Sequence, residues 1–144
     1  MKQMKKIALL AATLVLATTG AVAHAALAIV AHPSNNAAGI TLEEAEQLWL
    51  GKSRELANGR RVAPVDQGAG TASRAKFYKS VVKKDERELK AYWSKLIFTG
   101  KGQPPREIGD DAAVQAWVAS HPDAIGYVDG KFVNSSVKVL LIVP

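Results

Sequence analysis

The chain contains no cysteine, which excludes disulfides, thiol catalysis and attachment of a lipid through a cysteine. Histidine is nearly as scarce. His24 lies close to the start, while His32 and His121 each precede a proline and stand far apart, with no carboxylate at ligand spacing, so no metal site is read. No glycine-flanked serine elbow and no Ser/His/Asp arrangement occurs, so no catalytic residue and no cofactor is expected, and the chain is not read as an enzyme. The basic excess, 19 Lys and Arg against 13 Asp and Glu, is spread along the chain rather than gathered into a stripe. That pattern argues against a nucleic-acid partner.

An apolar run long enough to span a membrane, roughly 20 residues, is also missing near the start. What stands there is "MKQMKKIALLAATLVLATTGAVAHA": Lys2, Lys5 and Lys6, a shorter apolar run from Ile7 to about Leu16, and Ala23-His24-Ala25. This order is that of a secretory signal peptide with a small-residue cleavage site, over residues 1–25. Removal would leave residues 26–144 as a single domain placed in the periplasm, and would lower the net charge from +6 to +3. No repeat, low-complexity tract or interdomain linker divides that remainder.

Leu27 to Ala31, "LAIVA", reads as a buried strand stopped by His32-Pro33-Ser34-Asn35-Asn36. Thr41-Leu42-Glu43-Glu44 has capping-box spacing, and Leu42, Ala45, Leu48 and Trp49 share one face of the helix that Gly51 ends. A second strand is predicted over Arg61 to Asp66, followed by the glycine-rich "QGAGTASR" and a helix with Arg74, Tyr78, Val81 and Val82 on one side. Asp85 starts the next helix, whose Leu89, Tyr92, Trp93, Leu96, Ile97 and Phe98 are spaced for core packing, and Asp110 starts a third, carrying Val114, Trp117 and Val118. Strands at Ala124 to Val128 and Val137 to Val143 complete an α/β pattern. A mainly parallel sheet with helices on both faces is the expected architecture.

In such sheets ligands bind beyond the carboxyl ends of strands, where loops lead into helix N-termini. Two loops fit that description. One offers Ser34 and Asn35, which read equally as turn residues; the other offers Gln67, Gly70, Thr71, Ala72, Ser73 and Arg74, for which helix capping plus a solvated charge is the competing reading. "KSVVKKDERELK" reads as a solvated helix face with Glu86 and Lys90 at i,i+4 spacing, and Lys101 and Arg106 as exposed cations.

Taken in order, "TLEEAEQLWLGKSRELANGRRVAPVDQ", "GTASRAKFY", "AIGYVDGKFV" and "SVKVL" resemble the phosphate-binding proteins of bacterial ABC transporters, of the type II periplasmic binding protein fold. The likeness runs from about Ala28 to Leu141. It implies that Gly70 to Arg74 stand at the family's glycine-rich anion loop, with Thr71, Ala72 and Ser73 in place of its serine, glycine and threonine, and Gln67 where an arginine is usual; Leu56 replaces a tryptophan. It also implies phosphate or a related oxyanion as ligand and an ABC permease as partner. Full-length members close two lobes around the anion, whereas this chain has the length of a single lobe. The expectation is therefore a lone lobe, either a solute-binding component or an accessory or sensor module of the cell envelope. A homodimer pairing the "HPSNN" and "DQGAGTASR" faces would complete the cleft.

Overall fold

The computed structural model describes residues 26–144, so the signal peptide read over residues 1–25 lies outside the described residues. The first strand, β1 (Leu27–Ala31), has all five residues buried, as its uninterrupted apolar run requires. Helix α1 (Leu42–Trp49) opens on Thr41, whose hydroxyl accepts the Glu44 N–H at 3.1 Å while the Glu44 carboxylate accepts the Thr41 N–H at 2.8 Å. The reciprocal pair satisfies two N–H groups that the first turn leaves without partners. Strand β2 (Ala63–Gln67) leads through Gly68 to Thr71 into α2 (Ala72–Phe77), which runs directly into a wider π turn over Tyr78–Val82. Helix α3 (Glu86–Phe98) is capped by Asp85, and strand β3 (Arg106–Gly109) precedes α4 (Asp111–Ser120), capped by Asp110. Strand β4 (Ala124–Asp129), a short 3-10 turn and β5 (Lys138–Val143) follow.

The strands form one sheet in the order β3-β2-β4-β1-β5. β2 is parallel to both β3 and β4, whereas β1 is antiparallel to both of its neighbours, β4 and β5. Four strands thus point one way and β1 alone runs against them. Alternation along β1 feeds two cores. Leu27, Ile29 and Ala31 pack with Trp49, Phe77, Val81, Val82, Leu89 and Trp93 beneath α1, α2 and α3, while Ala28 and Val30 meet Val114 and Val118 of α4 on the other face. Helices cover both faces, as expected.

Some expectations shift. β3 comes from a four-residue stretch with exposed and half-buried positions, too short and too polar to announce itself. Phe98, expected in the core, is 92% exposed because α3 ends there and turns its last residue outward, and Leu42 in the first turn of α1 is also exposed. Trp117 is half-buried, its ring covered by the Arg106 guanidinium at 4.8 Å and stacked on His121.

Candidate functional site

The carboxyl ends of β2, β3 and β4 meet the first turns of α2 and α4, and the side chains gathered there are mostly engaged with one another. Asp66, buried near the end of β2, accepts from the hydroxyls of Tyr78 and Tyr127 and from the Gln67 N–H at 2.9 Å, and pairs with Arg74 at 3.0 Å. Burial pushes the Asp66 carboxyl above its ordinary range, against the four contacts, from Tyr127, Tyr78, Arg74 and the Gln67 amide, that favour its charged form. Burial, and then the neighbouring Asp66 charge, also raise both tyrosines, so they remain neutral donors.

Arg74, only 7% exposed, does not face solvent. Its Nε donates to Glu86 at 2.9 Å, one terminal nitrogen donates to the Gln67 carbonyl at 2.9 Å, and Glu107 stands 3.6 Å away. The guanidinium also lies 4.8 Å over the Tyr78 ring. With the Asp66 pair, three carboxylates surround this one cation. The Glu86 carboxylate therefore belongs to Arg74 rather than to the solvated i,i+4 pair expected from spacing.

Gln67 is fully buried. Its amide nitrogen donates to Asp111 Oδ1 at 2.9 Å and to the Tyr127 carbonyl at 3.0 Å. Asp111 Oδ1 also accepts from the Ser73 hydroxyl at 2.7 Å and the Asp129 N–H at 2.7 Å. Burial raises the Asp111 carboxyl, but the donors Ser73, Asp129 and Gln67 together with the Lys131 charge outweigh it and hold the group below the ordinary 3.8. Gln67 and Ser73 thus tie β2 and α2 to α4 and β4.

What remains turned outward is the loop itself. Gly70 adopts φ +92°, a conformation that a side chain would strain, and swings the chain into α2. Thr71 accepts the Arg74 N–H on its hydroxyl oxygen at 3.2 Å, a bond that leaves the hydroxyl proton free to donate, and the first-turn N–H groups of Ala72 and Ser73 have no carbonyl ahead of them in the helix. Gly70, Thr71 and Ala72 line a cavity of about 740 Å³ together with Lys79, Lys83 and Lys84. Sequence reading missed these lysines because it took their segment for an ordinary helix face. The π turn and Lys83, at φ +59° in the left-handed region, fold them back toward the loop instead. Lys84 lies 5.7 Å over the Tyr92 ring. Of the two carboxylates on the rim, Glu86 is already paired with Arg74.

Ser34 and Asn35 are not part of this cluster. Because β1 runs against its neighbours, the loop that follows it emerges beside the amino ends of β4 and β5, at the other end of the sheet. There the Ser34 carbonyl accepts from Arg60 at 2.8 Å and the Asn35 carbonyl from Lys138 at 3.0 Å. The expectation that both loops share one ligand-binding face is corrected, and with it the geometric basis for a dimer closing over both.

No protein-family model matches the chain, and no curated protein matches it in sequence. Solved structures do. An ABC-type phosphate transport receptor from Vibrio cholerae superimposes with a TM-score of 0.64 at 19% identity, over 79% of this chain and 44% of that one. The chain shares its fold with part of that receptor. A phosphate ABC transporter substrate-binding protein from Clostridium perfringens, solved with bound phosphate, gives 0.60 at 20% identity over 81% and 45%. PstS from Borrelia burgdorferi gives 0.61 at 14% over 80% and 46%. The chain spans less than half the length of each of these structures. Among the described residues no helix is long and apolar enough to cross a membrane.

Proposed function

We propose that the chain works in the periplasm as a non-enzymatic binding domain for a small oxyanion, with phosphate the leading candidate. The reading is carried by the cavity that Gly70, Thr71 and Ala72 line together with Lys79, Lys83 and Lys84. Backbone N–H groups at a helix start and a hydroxyl supply directional donors, and the lysines supply the positive potential that Gln67 and the internally paired Arg74 do not. The phosphate-receptor fold and the leader-like residues 1–25 support the location, and an ABC permease is the matching membrane partner. Capture is weak, because an open site leaves the anion in contact with water, where charge attraction is small.

Titration of isotope-labelled protein with phosphate tests this. Amide resonances of Gly70, Thr71 and Ala72 should move together and saturate in the millimolar range, with weaker binding in Lys79→Ala and Lys83→Ala and at higher salt. Unmoved resonances at tens of millimolar phosphate would sink the reading.

A second reading has its own observation. Gln67, Ser73 and Arg74 are all committed to internal partners, which suits an accessory or sensor module of the envelope that keeps the lobe without needing an anion. Affinity recovery from a periplasmic and membrane extract separates the two: a transporter subunit retrieves a permease, and an accessory module retrieves a different protein.

A further inference from the structure

At the opposite end of the sheet from the glycine loop lies a groove of about 780 Å³. It runs between the turn that follows α1, the carboxyl half of α3 and the segment from Gly100 to Arg106, at the amino ends of β2 and β3. Its size falls within the range of pockets that enclose small organic ligands. Tyr92, Leu96, Ile97 and Pro104 give it an aromatic and aliphatic surface, with the edge of the buried Trp93 behind them. The surface is held in place: the Tyr92 hydroxyl donates to the Leu50 carbonyl at 2.6 Å, tying α3 to the end of α1. Gly51, at φ +70°, lets the turn approach the Trp93 ring, since a Cβ there would stand 3.3 Å from Trp93 Cη2.

The charge on this groove is one-sided. Lys52, Arg54, Lys101 and Arg106 line it, and no aspartate or glutamate does. Arg106 is occupied over the Trp117 ring, whereas Lys52, Arg54 and Lys101 make no ion pair among the described residues. A concave apolar floor under unpaired cations is complementary to a molecule that is apolar at one end and anionic at the other. A second copy of this chain would bring the same cations against them.

We infer that this groove is a second binding site, for an amphipathic organic anion whose aromatic or short acyl body lies on Tyr92, Leu96, Ile97 and Pro104 while its carboxylate meets Lys52, Arg54 and Lys101. The site is separate from the oxyanion cavity, shares no residue with it, and stands whether or not phosphate binds there.

Two probes of matched shape test the inference: 2-naphthoate and uncharged 2-naphthalenemethanol, followed by tryptophan fluorescence and by the amide resonances of Gly51, Lys101 and Gly102. The carboxylate should bind about tenfold tighter than the alcohol, the size expected of several exposed charge pairs acting together. The resonances that move should be those of the groove, and phosphate should not compete. Lys101→Glu, at an exposed position, should remove most of the preference for the carboxylate while leaving the alcohol unchanged. Equal affinity for the two probes, no binding of either, or resonance changes confined to Gly70 to Ala72 would each overturn the inference.

Discussion

Removing the Arg74 guanidinium would leave the Asp66 carboxyl buried between Tyr78 and Tyr127 with no cation beside it. Arg74→Ala is therefore expected to lower stability by about 3–5 kcal/mol, the usual cost of breaking a buried pair from one side, as read from urea unfolding. Arg74→Lys should recover only part of this, since an ammonium cannot serve Asp66, Glu86 and the Gln67 carbonyl from one planar fork. In the sequence, Arg74 read as a ligand-contact candidate of the glycine-rich loop, with a solvated charge as the competing reading. The network beside it was hidden by distance along the chain: Asp111 and Tyr127, which meet Asp66, Gln67 and Ser73, lie 38 to 61 residues from those partners. The Thr71, Asp85 and Asp110 caps, by contrast, were legible because a cap and its target N–H are three residues apart. Asp111 also sets a pH dependence. Its folded-state affinity for protons is below the ordinary value, so it adds stability above about pH 4 that is lost as the pH falls through its lower folded value. Asp111→Asn should lower the urea midpoint at neutral pH, and the difference between the two proteins should shrink as the pH falls below about 4.

At the scale of elements, the π turn after α2 and the left-handed Lys83 together place three lysines on the cavity that the glycine loop lines, and left-handed backbone costs a non-glycine residue about 1–2 kcal/mol. Lys83→Gly should relieve that strain, raising stability by up to about 1 kcal/mol after the added freedom of the unfolded chain is counted, while weakening the proposed phosphate binding. Melting curves and the phosphate titration on the same variant check both halves. The contact of α4 with the sheet is tighter still. A Cβ on Gly126 of β4 would stand 2.7 Å from Val114 Cγ1 and 3.2 Å from atoms of Val118 and Val65, so Gly126→Ala is expected to cost about 1–3 kcal/mol by pushing the helix off the strand. β1, α1, β2, α3, α4, β4 and β5 were all readable from periodicity and caps, with boundaries moved by a residue or two. Two features were not. The π turn keeps Tyr78, Val81 and Val82 buried just as an α-helix would, so apolar spacing cannot tell the two apart. The direction of β1 leaves no local trace, because a strand buried on both faces looks alike in either orientation.

For the molecule as a whole, that direction decides which loops share an end of the sheet, and so separates Ser34 and Asn35 from the glycine loop. It also governs when the chain can fold. β1, near the start of the described residues, lies between β4 and β5, so its ladders wait for partners about a hundred positions later. No early segment can complete the sheet by itself, and loop closure of that length must precede the contacts that repay it. Deleting residues 138–144 should therefore abolish cooperative unfolding of the entire domain, rather than fray one edge, as followed by circular dichroism and amide exchange. The same arrangement gives a newly made chain a built-in delay: β1 stays without either of its sheet partners until β4 and β5 have been made.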